Sequence, residues 1–319
     1  MTEYGFHASH EQVAPELLLD AVRAAEEAGF SQAMCSDHFA PWSTRQGHSG
    51  QAWTWLGAAL ATTALPMGVV SAPGDRYHPA VLAQSAATLA RMFPQRLWLA
   101  LGSGQALNEH ITGGRWPDKE TRNRRLAECA DVIRALFAGE TVTHDGLVRV
   151  DRARLWSRPD NPPPLFAAAV TRESAATVAS WSEGLITINQ PDDTHVKVLH
   201  AYRDAGGRGP VLLQAHVCWA RNDDEAGRVA HDQWREPILG GEVDWELTLP
   251  EHFENAARFV DAKTVASYVV VSSDLSVHTA WLRRQAEHGF DRVMIHQVAK
   301  DQRPFVDAFG EHVLPELRG

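Results

Sequence analysis

The stretch PAVLAQSAATLARMFPQRLWLALG, from Pro79 to Gly102, contains the unit that repeats along this chain. Its first part, Pro79–Met92, predicts a helix, and the apolar run RLWLALG at Arg96–Gly102 predicts a strand that ends at a glycine. Short apolar runs that alternate with longer helical patterns indicate strands joined by helices. The stretch therefore predicts one helix–strand unit of an α/β fold.

Similar units fill most of the chain. The other predicted strands are Tyr4–Ala8, Ala33–Ser36, Met67–Val70, Leu165–Ala168, Gly184–Ile188, Val211–Trp219 and Arg292–Val298. The other predicted helices are Ala14–Ala28, Gln51–Thr63, Lys119–Phe137, Ser174–Trp181, Thr194–Ala205, one that starts near Asp223, and a C-terminal helix. About eight strand–helix units in one run predict a (β/α)8 TIM barrel in a single domain, residues 1–319, rather than an open doubly wound sheet.

Two segments do not fit the repeating pattern. Residues 141–164 indicate a β-hairpin followed by a proline-rich connector, and residues 231–268 indicate a helical insertion before the last strand. Barrel enzymes build their sites from insertions at the carboxyl ends of the strands. We therefore expect the second insertion to cover the site as a lid.

Composition limits the class of protein. The formal net charge of −10 argues against a nucleic-acid binder, which needs basic residues to neutralise phosphates. Three distant cysteines form neither a disulfide framework nor a CxxC pair, and no apolar run is as long as a membrane span. The sequence predicts a cytoplasmic protein that binds a small molecule, with no membrane partner.

Polar residues follow the predicted strands where a barrel would place its site. In CSDHFAPWS, Cys35–Ser43, an acid, a histidine and a tryptophan directly follow a short strand. Asp37 is either a turn cap or a ligand-binding group, and His38 is either a packed imidazole or a base. Because Trp42 would give His38 an apolar wall, the combination favours proton transfer in a partly dry pocket.

The glycine turn after RLWLALG is a second candidate. Gly102, Ser103 and Gly104 do not form the GxGxxG pattern of a dinucleotide fold, but paired glycines let the backbone approach a ligand. The alternative is a plain turn into the next helix. Further along the chain, alternation in VLLQAHVCW places one set of side chains on the same face of a strand: Leu212, Gln214, His216 and Cys218.

Metal and serine-hydrolase chemistry are not favoured. A metal-dependent hydrolase barrel would show two inward histidines on its first strand, but His7 and His10 are three residues apart and cannot both point inward. Neither HExxH nor a Gly-x-Ser-x-Gly elbow occurs. We expect no metal ligands.

Three segments in order, GFHASHEQ, SDHFAPW and RYHPAVLAQSAATLARMFPQRLWLALGSGQALNE, make the chain resemble the luciferase-like flavin and deazaflavin oxidoreductases. It is most similar to the branch of glucose-6-phosphate dehydrogenases that use the deazaflavin coenzyme F420. The resemblance implies a TIM barrel, a homodimer, and a coenzyme lying across the carboxyl-terminal mouth. It also implies a cis peptide around Val70 and Ser71 that supports the ring.

The resemblance also implies roles for the site residues. His38 would take a proton from the substrate hydroxyl, with Glu11 and Gln105 assisting and Trp42 flanking the reacting carbon. The implied coenzyme-binding residues are Asp37, Val70, Ser71, Ser103, Gly104, Ala167, Ala168, Ala169, Val170 and Thr171. The last five of these would meet the coenzyme phosphate at a helix N-terminus, where free amides favour an anion.

The chain departs from that branch at three places. Gln105 replaces an acid proposed to protonate the coenzyme, and an amide can donate a hydrogen bond but no proton. Ile188, Pro191 and Asn255 occupy the positions of the threonine and lysines that bind sugar phosphate, so glucose 6-phosphate is not the expected substrate. The coenzyme-phosphate loop is bulkier than usual because it contains Ala169-Val170.

The leading hypothesis is an F420-dependent oxidoreductase that moves a hydride between coenzyme C5 and a small alcohol or carbonyl compound. The alternatives are an FMN-dependent monooxygenase and a non-catalytic flavin- or deazaflavin-binding protein, with a metal hydrolase as the least favoured. Trp53, Trp55 and Trp116 are candidates for an aromatic rim around the substrate, with plain packing as the alternative.

Overall fold

Eight parallel strands close into a barrel in the computed structural model, which describes residues 1–241 and 243–318. The described residues contain eleven strands in all: β1 (Glu3–Ala8), β2 (Ala33–Ser36), β3 (Met67–Ser71), β4 (Leu97–Leu101), β5 (Val142–Asp145), β6 (Arg149–Ala153), β7 (Leu165–Ala168), β8 (Leu185–Ile188), β9 (Val211–Cys218), β10 (Val270–Val271) and β11 (Arg292–Gln297). Around the barrel the order is β1-β2-β3-β4-β7-β8-β9-β11, and β11 pairs with β1 to complete the ring. The predicted (β/α)8 barrel is confirmed.

Helices surround the barrel on its outside. They are α1 (Pro15–Glu27), α2 (Ala52–Thr62), α3 (Pro79–Met92), α4 (Ala106–Glu109), α5 (Lys119–Ala138), α6 (Arg172–Val178), α7 (Thr194–Asp204), α8 (Asp223–Trp234), α9 (Val243–Glu246), α10 (Pro250–Ala256), α11 (Ala262–Tyr268), α12 (Leu275–Glu287), α13 (Arg303–Ala308) and α14 (Leu314–Arg318). In the part of the chain that the structure describes, no helix is both long enough and apolar enough to span a bilayer.

Strand β4 shows why the barrel strands are apolar throughout. Leu97, Leu99 and Leu101 pack outward against the helices, whereas Trp98 and Ala100 point into the barrel. Both faces are therefore buried, as in other parallel sheets. Trp98 fills the barrel interior so closely that a Cβ added at Gly68 would lie 2.0 Å from its ring, so this position requires glycine.

The outer layer is built from helices with one apolar face. Helix α1 begins at a proline, whose fixed φ suits the first helical position, and buries Leu18, Ala21, Val22 and Ala25. This i, i+3, i+4, i+7 spacing turns one stripe of the helix toward the barrel. Complete burial of a leucine side chain such as Leu18 stabilises the fold by about 2 kcal/mol.

Two excursions leave the repeating pattern. Strands β5 and β6 form an antiparallel hairpin, which is attached to α5 because one carboxylate oxygen of Glu128 accepts from His144 Nε2 at 2.9 Å and from the Leu147 amide at 2.7 Å. Helices α9, α10 and α11 follow α8, and α8 and α11 share a small core that includes Trp234 and Val265.

The structure departs from the sequence-based expectations at two places in the fold. Between residue 268 and the last strand, the pattern left out the two-residue strand β10, which pairs with β9, and the helix α12. The expected cis peptide around Val70 and Ser71 is wrong, because no described residue has a cis bond and both residues continue β3 in register with β4.

Candidate active site

A cavity of about 1080 Å³ opens at the carboxyl ends of the barrel strands. Its wall contains nearly all the residues that the sequence singles out for chemistry or coenzyme binding. These are Glu11, Asp37, His38, Trp42, Val70, Ser71, Ser103, Gly104, Gln105, Ala168, Ala169, Val170 and Thr171. Residues that lie up to 160 positions apart in the chain therefore meet in one site, as the barrel topology requires.

Ala167 is the predicted site residue that the structure places elsewhere. Its side chain belongs to the core between barrel and helices, whereas the neighbouring Ala168 lines the cavity. Successive residues of a strand point to opposite faces, so Ala167 and Ala168 cannot both face the ligand. The Ala167 side chain therefore faces away from the cavity, and its amide donates to the Gly184 carbonyl at 2.9 Å, so the predicted contact of Ala167 with the coenzyme phosphate is not supported by this geometry.

His38 and Glu11 form the central pair of the site. Nδ1 of His38 lies 3.1 Å from Oε1 of Glu11, without the alignment of a linear hydrogen bond. Burial lowers the pKa of His38, and the Glu11 carboxylate only partly offsets this effect, so the imidazole is neutral at neutral pH. A carboxylate beside Nδ1 favours the proton on that nitrogen, which leaves Nε2 as the basic atom.

Glu11 is held as a carboxylate. Burial alone would raise its pKa, but His38 and the hydroxyl of Ser36 outweigh that effect and hold the pKa at about 2. Ser36 Oγ donates to one carboxylate oxygen at 2.6 Å, and Ser9 Oγ donates to the other at 2.8 Å. Hydroxyl donors stabilise the charged form and fix its orientation. Glu11 is therefore a fixed negative charge behind His38.

Aromatic side chains form one wall beside His38. Its ring packs edge-on against Trp42 at 5.3 Å, and Trp42 packs edge-on against Phe253 of α10 at 5.2 Å. The Trp42 amide donates to Gln46 Oε1 at 2.9 Å, which orients this turn. The pairing of imidazole and indole that the sequence predicts is present in the structure.

The Asp37 carboxylate makes hydrogen bonds to other protein groups and not to His38 or Glu11. One carboxylate oxygen accepts from Ser71 Oγ at 2.6 Å, and the other accepts from Arg76 Nη1 and from the Tyr77 hydroxyl, both at 3.1 Å. Ser71 Oγ in turn accepts from Trp53 Nε1 at 3.0 Å. The Asp37 carboxylate therefore ties β2 to β3 and to the loop that follows β3.

The ion pair that the sequence did not reveal is centred on Arg76. Its guanidinium lies between Asp37 and Glu109, whose Oε1 is 3.6 Å from Nε, while Glu109 Oε2 accepts from the Arg76 amide at 2.7 Å. Burial raises the pKa of Glu109 more than Arg76 lowers it. The only sequence signal was positional, since Arg76 follows β3 and Glu109 follows β4.

Gln105 lies at the start of α4, where its side chain lines the cavity. Its Oε1 accepts from Asn108 Nδ2 at 3.3 Å, and Asn108 Oδ1 accepts from the Phe39 amide at 2.9 Å. Asn108 therefore links the glycine turn after β4 to the loop that carries His38. The Gln105 amide retains its Nε2–H donors for a ligand.

Small residues form the floor between β3, β4 and β7. A Cβ added at Gly102 would meet the methyl of Ala168 at 3.8 Å, and one added at Gly104 would meet Glu109, Trp116 and Ala72 at 3.2 to 3.5 Å. Gly104 also has a φ of +83°, a conformation that L side chains rarely adopt. Gly104 is therefore required by its backbone conformation and close neighbours, and the floor consists of backbone and methyl groups.

Two cationic residues on the rim were not predicted as site residues. Lys119 and Arg122 of α5 line the cavity, with Lys119 Nζ 3.2 Å from Ser103 Oγ and Arg122 stacked over Trp116 at 4.6 Å. Arg122 Nη1 pairs with Glu246 of α9 at 3.1 Å, so this rim contacts the second excursion. Burial raises the pKa of the adjacent Asp244 to about 6.

The three tryptophans predicted as rim candidates lie in different environments. Trp116 lines the cavity. Trp53 is buried beneath the site, where it donates to Ser71, and Trp55 packs against His10 and donates to the Pro15 carbonyl at 3.1 Å. For Trp53 and Trp55 the rim interpretation is wrong, because both indoles are buried and neither lines the cavity.

The three positions that the resemblance aligns with a sugar-phosphate site do not lie together in the structure. Ile188 lines the main cavity, Pro191 lines a smaller neighbouring cavity, and Asn255 is exposed on α10. Ile188 is therefore the member of this trio that faces the main cavity.

Strands β9 and β11 supply a second polar wall. Gln214, His216 and His296 line the cavity as the alternation of β9 predicts, but Cys218 packs in the small core of the second excursion, where its Sγ lies 3.3 Å from the Ala226 carbonyl. Gln297 binds the backbone of Trp219 and is outside the cavity lining.

The chain is similar to a known protein family and to individual relatives along nearly its whole length. The family model of the luciferase-like monooxygenases matches residues 2–302. An F420-dependent glucose-6-phosphate dehydrogenase of Microbacterium testaceum (strain StLB037) is 34% identical, over 99% of this chain and 97% of the relative. An F420-dependent hydroxymycolic acid dehydrogenase of Mycobacterium tuberculosis (strain ATCC 25618 / H37Rv) is also 34% identical, over 98% of this chain and 88% of the relative.

A solved structure extends the comparison to the fold as a whole. An F420-dependent secondary alcohol dehydrogenase in complex with an F420-acetone adduct superposes with a TM-score of 0.91. The two proteins are 27% identical, and the match covers 100% of this chain and 99% of that one.

Proposed function

Because this chain belongs to the luciferase-like monooxygenase family, we propose that it transfers a hydride between C5 of coenzyme F420 and a small alcohol or carbonyl compound. The resemblance drawn from the sequence is confirmed by the family match. Two relatives and one structural neighbour that carry F420 dependence in their names support the coenzyme assignment. The acetone adduct of the neighbour supports the alcohol and carbonyl part of the proposal.

The cavity fits the coenzyme. Its volume of about 1080 Å³ exceeds what a small alcohol alone requires. The floor of Gly102, Gly104, Ala72 and Ala168 consists of backbone and methyl groups, and this suits a planar ring system. We place the coenzyme phosphate near Ala168–Thr171, where the chain enters α6 and an anion would meet the positive end of the helix dipole.

The observation that carries the proposal is His38, a neutral imidazole that lines the cavity with a fixed carboxylate behind it and an aromatic wall beside it. When bound, F420 supplies the two-electron acceptor or donor. As an alcohol carbon loses its hydride, Nε2 of His38 accepts the hydroxyl proton, and the resulting imidazolium is stabilised by the Glu11 carboxylate. In the reverse direction the imidazolium returns this proton to the carbonyl oxygen.

Gln105 has a supporting role in this proposal. Its side chain has no acidic proton, but its Nε2–H groups can donate to an anionic form of the bound coenzyme. Protonation of the coenzyme ring, where it is needed, comes from water in this scheme, because Glu11 has a pKa of about 2 and remains ionised.

Two predictions from the sequence stay predictions. One is that glucose 6-phosphate is not the substrate, and the other is that the protein is a homodimer. The first is checked by including glucose 6-phosphate in the substrate panel, and the second by sedimentation of the purified protein.

The proposed activity is tested by following reduction of F420 with a panel of short secondary alcohols, and its oxidation with the matching ketones. We expect turnover with at least one alcohol–ketone pair. Oxygen uptake with reduced FMN, but no F420 turnover, would identify an FMN monooxygenase instead. Tight F420 binding without turnover across the panel would identify a non-catalytic coenzyme-binding protein.

A further inference from the structure

The turn after β2 that carries Trp42 is bound to α8 and α10 by groups that the proposed proton transfer does not use. Arg45 provides most of these contacts, because its guanidinium faces three carboxylates. They are Asp232 Oδ1 at 3.4 Å from Nε, Glu254 Oε1 at 3.4 Å from Nη1, and Glu236 Oε1 beside Nη2. Nη2 also donates to the Asp232 carbonyl at 3.3 Å. One side chain therefore links the turn to both helices.

Glu236, which follows α8, keeps Arg45 in this position. The Glu236 side chain is fully buried. Its cationic partners among the described residues are Arg45 and Arg235, and Nε of Arg235 lies 3.1 Å from Oε1. A buried carboxylate that loses a partner is strongly destabilising, because burial has already removed its water. The charge of Glu236 therefore holds the Arg45 side chain, and with it the turn.

Glu254 fixes the backbone of the same turn. Its Oε1 accepts from the Thr44 amide at 2.9 Å and from the Thr44 hydroxyl at 2.6 Å. Two residues later, Gln46 Nε2 donates to the Gln233 carbonyl of α8 at 3.0 Å, while Gln46 Oε1 accepts from the Trp42 amide at 2.9 Å. Both the backbone and the side chains of the turn are therefore bound to the two helices.

The turn matters to the site because it carries the aromatic wall beside the proposed base. Trp42 packs edge-on against His38 at 5.3 Å on one side and against Phe253 at 5.2 Å on the other. Phe253 directly precedes Glu254 on α10, so the same helix supports the indole and holds its turn. Neither Arg45 nor Glu254 lines the cavity. Their effect on His38 therefore passes through the turn and Trp42.

We propose that Arg45 and Glu254 are positioning residues, which keep the Trp42 indole packed on His38 and so limit the access of water to the base. A displacement of about 1 Å in a catalytic arrangement can lower turnover by about 10²-fold. The inference rests on the proposed function for its effect on turnover. The packing of Trp42 on His38 belongs to the coenzyme-free protein and is measured without turnover.

The opposite charges of the two residues separate a positioning role from a direct electrostatic one. Through charge alone, loss of the cation in Arg45→Met would raise the pKa of an imidazole, whereas loss of the anion in Glu254→Ala would lower it. If both variants free Trp42, water reaches His38 in each. The pKa of His38 should then rise in both variants, because burial is the largest influence on that pKa and lowers it.

NMR titration of the histidine signals in the coenzyme-free protein measures this change. The His38 signal is identified by its absence from the spectrum of His38→Ala. The charged groups that act most strongly on its pKa are Glu11, Arg76 and Asp37, and both variants retain all three. A rise shared by the two variants therefore reports the loss of burial.

Turnover provides the second measurement. Both variants should lower kcat by about tenfold for an alcohol that the wild-type protein oxidises, and leave the Kd for F420 nearly unchanged. Arg45→Lys should have an intermediate kcat, because it keeps a cation near Glu236 but loses the guanidinium fork. The matched control is Arg292→Met. Arg292 has the same exposed fraction as Arg45, 29%, and pairs with Glu3 at the opposite end of the barrel, so this variant should behave like the wild-type protein.

A pKa of His38 that falls in Glu254→Ala would overturn the proposal. So would a His38 titration and a kcat in Glu254→Ala that match those of Arg292→Met. Glu254→Ala decides the question even if Arg45→Met does not fold, because its carboxylate is partly exposed whereas Arg45 pairs with the buried Glu236. Absence of F420 turnover by the wild-type protein, with a raised pKa in the variants, would overturn the proposed function and leave standing the role of both residues in keeping water from His38.

Discussion

The two carboxylates nearest His38 have opposite roles, although both are buried at the ends of neighbouring strands. Glu11 follows β1, touches His38 at 3.1 Å and is otherwise held by serine hydroxyls. Asp37 directly precedes His38 in the chain, but its oxygens are occupied by Ser71, Arg76 and Tyr77. In the proposed reaction, the residue next to His38 in sequence supports the loop, and the residue 27 positions away supports the proton transfer.

A similar contrast separates the histidines on the two sides of the cavity. His38 has a carboxylate neighbour, which stabilises a proton on the ring once it arrives. His216 and His296 have amide neighbours, which fix tautomers but stabilise no charge. The chemistry of an imidazole is thus decided by its partner: with Glu11 it is suited to proton transfer, and with Gln214 it remains a neutral hydrogen-bonding group.

The largest effect should come from removing the base. His38→Ala should lower turnover by about 10²- to 10⁴-fold, the usual contribution of a positioned base, and should leave F420 binding nearly unchanged. The matched control is His144→Ala, since His144 also pairs with a glutamate, Glu128, but on the hairpin outside the cavity. Turnover by His38→Ala within threefold of the control would contradict the role of His38.

Asp37→Ala should affect stability rather than binding chemistry. It leaves the buried Arg76 guanidinium without its main partner, which costs about 3–5 kcal/mol of unfolding free energy. Urea denaturation measures this loss. A loss of less than about 1 kcal/mol of unfolding free energy, together with loss of F420 binding, would instead indicate that Asp37 contacts the coenzyme directly.

Acid should destabilise the protein through its neutral histidines. His7, His10 and His216 have folded pKa values of about 4, 4 and 3, below the ordinary value of 6.5. The unfolded chain therefore binds more protons below pH 6.5, and stability present above that pH is lost as the pH falls toward 4. The expected slope is about 1.4 kcal/mol for each histidine per pH unit.

Urea midpoints at pH 7 and pH 5.5 measure that slope. His216→Phe should show a shallower pH dependence than the wild-type protein, because one of the three imidazoles is absent. Identical midpoints at the two pH values would contradict the assignment of neutral buried histidines.

A smaller effect is expected for Glu11→Gln. Loss of the negative charge should lower kcat by about 10- to 100-fold, with little change in folding because the amide keeps a similar shape. Glu11 raises the pKa of His38 against the effect of burial, so the acid limb of the pH–rate profile should move to lower pH in the variant. A shift in the opposite direction would exclude Glu11 as the electrostatic partner of His38.

Local sequence patterns predicted those helices and strands whose bounds depend on neighbouring residues in the chain. Helix Pro79–Met92 and strand Ala33–Ser36 were predicted at their observed bounds because apolar periodicity and flanking turn residues define them. Strand β10 was missed because Val270–Val271 is too short to show a period and depends on its pairing with β9.

For the site, the sequence located the residues but not their partners. His38, Trp42 and Gln105 were predicted from the strand–loop junctions that a barrel brings together. Asp37 contacts Arg76, and Gln214 contacts two imidazoles, across separations of 2 to 82 positions in the chain. No local sequence pattern shows that these side chains lie close together in space. These partners decide which polar residues do chemistry and which hold the loop.

The most direct test of the proposed function is titration of the purified protein with oxidised F420, in parallel with FMN, followed by quenching of coenzyme fluorescence. Selective, saturable binding of F420 that survives His38→Ala is the predicted result, because the coenzyme rests on the small-residue floor and not on the base. Preferential binding of FMN, or binding of neither coenzyme, would contradict it.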